Sequence, residues 1–192
     1  IRKSESRMGS MLGATGALYA IRRELFPVLP EDILLDDVYI PLKIVEKGYR
    51  AIFDKRAKVY DKVFNDPKVE FSRKTRTLAG NYQLLFYLSE LFNPLKGKIS
   101  WQFFSHKFLR LMVPFLLIVL FVNNGLILWK DCFVAPSGLL AMTNLYLLFF
   151  LLQISFYLLA IFGAVSKIRN KFVDVPHIFC VMNIAAIAGL YK

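Results

Sequence analysis

"LMVPFLLIVLFVNNGLILW", residues 111–129, runs 19 residues without a charge. At about 1.5 Å of rise per residue, a helix of this length crosses a hydrocarbon core of about 30 Å. The stretch therefore predicts a transmembrane helix. Beyond it, "KDCFVAPSG" (130–138) supplies a short polar turn, and "LLAMTNLYLLFFLLQISFYLLAIFGAV" (139–165) a second, longer span that is free to tilt. "SKIRNK" (166–171) follows, and a third apolar segment at about 175–191 is expected to be cut off by the chain end.

Charge separates this region from what precedes it. The chain carries 25 Lys and Arg against 14 Asp and Glu, a formal net charge of +11, and a mean hydropathy of +0.47. Residues 1–110 hold 20 of the basic and 12 of the acidic residues, while 111–166 contain only Lys130 and Asp131. A charged part is followed by a membrane part. The positive-inside rule places the Lys107/Arg110 end of the first span and the Lys167, Arg169, Lys171 turn on the cytoplasmic side. Two spans separate them, so the two assignments agree. A multi-pass protein of the cell membrane is expected, with its charged part cytoplasmic. The sequence pI of 9.7 does not point to nucleic acid, because the basic excess follows topology. Cys132 and Cys180 have neither metal-ligand spacing nor a disulfide framework. They read as small hydrophobes.

Just ahead of the first span, "LAGNYQLLFYLSELFNP" (78–94) and "WQFFSHKFLRL" (101–111) mix aromatic residues with sparse charge. Both are expected to be amphipathic helices in the membrane interface. Further back the pattern suggests α/β. "GALYAI" (16–21), "YRAIF" (49–53) and "AKVYD" (57–61) are strand candidates. "DVYIPLKIVEKG" (37–48) predicts a helix, with Pro41 tolerable only in its first turn and Gly48 as its C-terminal cap. Another helix opens after Asp66–Pro67. Because the chain starts in mid-pattern at Ile1, it reads as a portion of a longer protein.

"LLDDVYIPLKIVEKGYR" (34–50) raises a chemical question, because Asp36 and Asp37 are adjacent in a basic chain. Such a pair can cap a helix, and the macrodipole favours acids there. It can also supply a general base, since each carboxylate raises the cost of ionising the other.

Three landmarks stand in order: "GATGALYAIRRELF", "DD" ahead of "GYR", and "RKTRTLAG" just before the membrane helices. Their order and spacing resemble the membrane-integrated family 2 glycosyltransferases, which include cellulose, hyaluronan and poly-N-acetylglucosamine synthases. The resemblance covers nearly the whole chain. It implies that residues 1–77 are the second half of a GT-A-type α/β catalytic domain, 78–110 interfacial helices, and 111–192 transmembrane helices. It implies an inverting transferase in which Asp37 is the catalytic base, with Asp36 in place of the usual Glu. Gly13, Ala14, Thr15 and Gly16 fall on the acceptor-binding segment. Arg76 falls on an Arg that neutralises the donor diphosphate, helped by Arg73 and Lys74. Arg73 stands where Gln is usual, and Thr77 where Trp is usual. The expected partners are a nucleotide-sugar donor, a glycan or lipid-linked acceptor, and membrane lipids, with no nucleic acid. The family's Asp-x-Asp motif, which binds Mg or Mn, does not occur in these residues. The metal is expected to enter the full-length enzyme through upstream sequence, so this portion is expected to be inactive alone. The alternatives are a non-processive transferase acting on a lipid or short glycan, and a non-catalytic membrane protein with a basic lipid-binding module.

Overall fold

The computed structural model describes residues 2–60, 66–93, 95, 97–134, 140–166 and 170–191. Its regular elements are helical: α1 (Arg2–Met8), α2 (Asp36–Glu46), α3 (Pro67–Tyr87), α4 (Lys98–Phe103), α5 (Leu109–Val134), α6 (Leu140–Val165) and α7 (Lys171–Leu190). A π turn, Phe104–Phe108, joins α4 to α5 without a break. The chain divides into two compact units, Ile1–Leu111 with Ala188–Lys192, and Met112–Ile187.

The α/β expectation is corrected here. Among the described residues there is no β-strand, only an isolated bridge between Thr15 and Leu18, so this is an all-α fold and not a GT-A half-domain. The strand candidates at 16–21 and 49–53 are irregular, and so are residues 57–60. Asp61, which ends the third candidate, lies outside the described residues. The physical reason is a missing ladder, since a strand is stable only when a neighbour takes its N–H and C=O groups. Met11 N does donate to Ala51 O at 2.9 Å, but the return bond from Ala51 N goes to the Ser10 hydroxyl. Pairing stops there.

The core of the first unit is built on α2. Val38, Tyr39, Ile40, Leu42 and Ile44 are buried with Leu12, Leu84, Leu88, Leu91 and Phe103. Segment 17–35 is irregular apart from one 3-10 turn, Arg23–Leu25, and contributes Tyr19, Ile21, Leu25, Leu29 and Ile33 to the margin of this core. It is latched to α3 by side chains. Gln83 donates to Asp32 O at 2.8 Å and accepts from Leu34 N at 2.9 Å, and Tyr87 OH donates to the Asp32 carboxylate at 2.7 Å. Helix α3 starts where Asp66 accepts from Lys68 N at 2.9 Å, with Pro67 in the first helical position. It then continues through "RKTRTLAG" to Tyr87 as one helix of 21 residues.

The second unit consists of apolar helices. Among the described residues three helices are long and apolar enough to cross a membrane: Lys98–Trp129, Asn144–Val165 and Lys171–Leu190. Length and composition thus mark a multi-pass membrane protein. Within this unit Asn124 donates to Gln153 at 3.3 Å, and Gln153 to the Tyr157 hydroxyl at 3.1 Å, a polar link between α5 and α6. Lys167 and Arg169, the centre of the expected basic turn, lie outside the described residues.

Candidate functional site

Asp36 and Asp37 occupy the first turn of α2. The residue in the capping position is Leu35, and no side chain caps the helix. Asp36 is therefore not the cap its position suggests, although both acids still gain from the helix dipole. Pro41 sits deeper than expected, at the sixth residue of the helix. A proline there has no N–H to give the carbonyl four residues back, which belongs to Asp37. That carbonyl instead accepts from Ala14 N at 2.7 Å.

This bond joins two of the predicted site segments. Gly13, Ala14, Thr15 and Gly16 run across the start of α2. A Cβ at Gly13 would stand 3.1 Å from Val38 Cγ2, and one at Gly16 would stand 3.4 Å from Asp37 Oδ2. The Asp37 carboxylate thus lies against the Gly16 backbone with no side chain between them. Thr15 Oγ1 accepts a hydrogen bond from the Arg2 guanidinium.

Burial, then the neighbouring charge of Asp36, pushes the Asp37 carboxyl above the usual range. Lys107, Arg2 and a backbone hydrogen bond pull the other way. Tyr19 is held above its ordinary value by burial and by the two acids. Lys107 comes from the π turn and donates to Asn81 Oδ1 at 3.0 Å, with Asn81 buried on α3. Glu5 of α1 is buried as well, with His106 Nδ1 at 3.5 Å from its carboxylate. A half-buried carboxylate is therefore acted on by a second acid and two cations, and burial makes it more basic than a free Asp. That arrangement can accept a proton from a hydroxyl.

Arg73, Lys74 and Arg76 are elsewhere on α3. All three are exposed, with no hydrogen bond or ion pair from their side chains to another described residue, and none is among the charges acting on Asp37. The structure unites Gly13–Gly16 with Asp36 and Asp37 but does not bring the basic trio to them. Sequence reasoning misses the contribution of Lys107, Arg2 and Asn81. In the sequence Lys107 is only a topology marker, yet a lone lysine inside "WQFFSHKFL" must either snorkel or find a buried partner.

Asp37 lines neither the cavity of about 260 Å³ beside Gly48 nor that of about 460 Å³ among α5, α6 and α7. Among the described residues no three His, Cys, Asp or Glu side chains gather as a ligand set. Asp37, already acted on by the positive charges of Lys107 and Arg2, does not fit a divalent cation. Compared with protein-family models, curated proteins and solved structures, the chain matches none.

Proposed function

We propose that this chain belongs to an inverting glycosyltransferase of the cell membrane, with Asp37 as the general base. The observation that carries this reading is the Asp37 carboxylate resting on the Gly16 backbone, within a Gly-Ala-Thr-Gly segment tied to the same residue's carbonyl. Small residues there leave room for an acceptor sugar to approach both backbone and base. The acceptor hydroxyl attacks the anomeric carbon of a nucleotide sugar, the bond from that carbon to the diphosphate oxygen breaks, and the hydroxyl proton passes to Asp37. The nucleoside diphosphate leaves with the electron pair, and the new glycosidic bond has inverted configuration. The resemblance gives Arg76, Arg73 and Lys74 to the diphosphate, but they stand apart from Asp37 on α3, so no part in this step is assigned to them. The three apolar helices fit a cytoplasmic reaction delivered to a membrane-held glycan or lipid acceptor.

The experiment is transfer of labelled sugar from UDP-glucose and UDP-N-acetylglucosamine by the full-length protein in membranes. Asp37→Asn should abolish incorporation while the protein stays folded, because losing a general base costs about 10²–10⁴ in rate. Label in long polymer favours a processive enzyme, and label in lipid or short glycan a single-transfer enzyme. Normal turnover by Asp37→Asn removes the catalytic reading. A non-catalytic lipid-binding module, consistent with the exposed cations of α3, would then replace it.

A further inference from the structure

We propose that Asn81 is a positioning residue of the Asp37 centre, holding the Lys107 ammonium where its charge reaches that carboxylate. Its consequence for catalysis rests on the reading of Asp37 as the base; the placement of the charge does not. Asn81 lies on α3 and is 5% exposed, and its Oδ1 accepts from Lys107 Nζ at 3.0 Å. Among the described residues the amine has no other hydrogen-bond partner. The charges that act on it are Asp37 of α2, Arg110 of α5, and Glu5 and Arg2 of α1. None of these is hydrogen-bonded to it, so a neutral amide, and not an ion pair, fixes its place.

The preceding residue of α3 fixes the other side of the arrangement. A Cβ at Gly80 would stand 2.5 Å from Leu35 Cγ and 3.1 Å from Leu34 Cβ, so the missing side chain lets α3 lie against the residues that lead into Asp36 and Asp37. Gly80 thus meets the flank of the acid pair, and Asn81 holds the cation. Two consecutive positions of one helix set how far Lys107 stands from Asp37.

Electrostatics shows what that placement does. Burial and Asp36 push the Asp37 carboxyl up, and Lys107 and Arg2 oppose them. Arg2 is exposed and already bonded to the Thr15 hydroxyl. Lys107 is half-buried, where solvent and salt screen a charge less. An uncharged holder preserves its field. A carboxylate at position 81 would offset the ammonium as seen from Asp37. An apolar side chain there would leave the ammonium without an acceptor, and it would turn out to water or give up its proton. Both changes keep Asp37 protonated to higher pH.

The test is carbon-13 NMR of the full-length protein in lipid nanodiscs, labelled at the aspartate carboxyls, with the Asp37 signal assigned by its loss in Asp37→Asn. Lys107→Met should move the titration of that signal to higher pH. Asn81→Leu should move it as far, and the double variant no farther, the non-additivity expected where one residue acts through the other. Asn81→Ser, a milder change should Asn81→Leu fail to fold, should shift it in the same direction. A folded Asn81→Leu or Asn81→Ser in which Asp37 titrates as in wild type overturns the proposal, and so do shifts that add in the double variant. If the carboxyl shifts as expected while Asp37→Asn still transfers sugar, the positioning role stands and the catalytic reading falls.

Discussion

The Asp37 carbonyl accepts the Ala14 N–H at 2.7 Å because Pro41 cannot supply the helical donor. One residue thus lays its carboxylate against Gly16 and anchors the Gly13–Gly16 segment through its backbone. Ala14→Pro removes the donor and leaves a carbonyl with neither partner. The expected cost is about 1–3 kcal/mol of stability. Thermal unfolding of the purified protein measures it, and transfer activity should fall with it.

Asp36 and Lys107 act on Asp37 with opposite sign, which gives a paired prediction. Asp36 raises the Asp37 pKa and Lys107 lowers it. Activity that needs ionised Asp37 rises with pH through its pKa. Asp36→Asn should move this acid limb of kcat/KM to lower pH, and Lys107→Met should move it to higher pH. Shifts in the same direction, or none, would separate these residues from the base.

Stability should respond to Asp37 in a defined direction. Its folded pKa is raised, so the folded state disfavours the ionised form. Relative to Asn, stability is undiminished below the unfolded value of about 3.9 and is lost as the pH rises through the folded one. Asp37→Asn should therefore melt higher than wild type at pH 7, while at pH 3 the difference closes. Melting curves of both proteins across that range provide the check.

Two glycines separate chemistry from packing. A Cβ at Gly16 would make ordinary contact with Asp37 Oδ2, at 3.4 Å. Gly16→Ala should fold normally but lower kcat/KM, because its methyl group takes space beside the carboxylate. A Cβ at Gly80 would lie 2.5 Å from Leu35 Cγ and 3.1 Å from Leu34 Cβ. Gly80→Ala should destabilise by about 1–3 kcal/mol through overpacking, seen as a lower Tm.

Arg76 distinguishes donor binding from membrane anchoring. A diphosphate-binding Arg76 would, on replacement by Ala, lower kcat at least as much as it raises KM for the nucleotide sugar, because a leaving group's charge grows in the transition state. Arg76→Lys should recover only part of the rate, since an ammonium lacks the bidentate fork. Normal kinetics with weakened membrane attachment would assign the residue to headgroups.

The membrane helices are legible in the sequence because long uncharged runs have few alternatives, and the start of α3 because Asp66–Pro67 is a strong local signal. The strand candidates mislead for a physical reason. "GALYAI" and "YRAIF" have apolar content suited to a sheet, but strand formation depends on a neighbour, and neither segment has a ladder partner among the described residues. Pro41 stands deeper in α2 than its local cost allows, because the carbonyl it frees is satisfied by Ala14, from outside the helix. Lys107 is visible as a charge, but its partner Asn81 is 26 residues away on another helix. Pairings of that range have no local signature.

The π turn at Phe104–Phe108 holds one residue more than an α-helical turn would need. It therefore works as a frame shift within a continuous rod. Deleting a single residue there would let the helix close into regular α geometry and turn every upstream position by about 100° relative to those downstream. Phe103 would keep its place in the core only if the helix beyond Phe108 turned instead, with no side chain chemically altered. Length in this segment is thus under tighter constraint than residue identity.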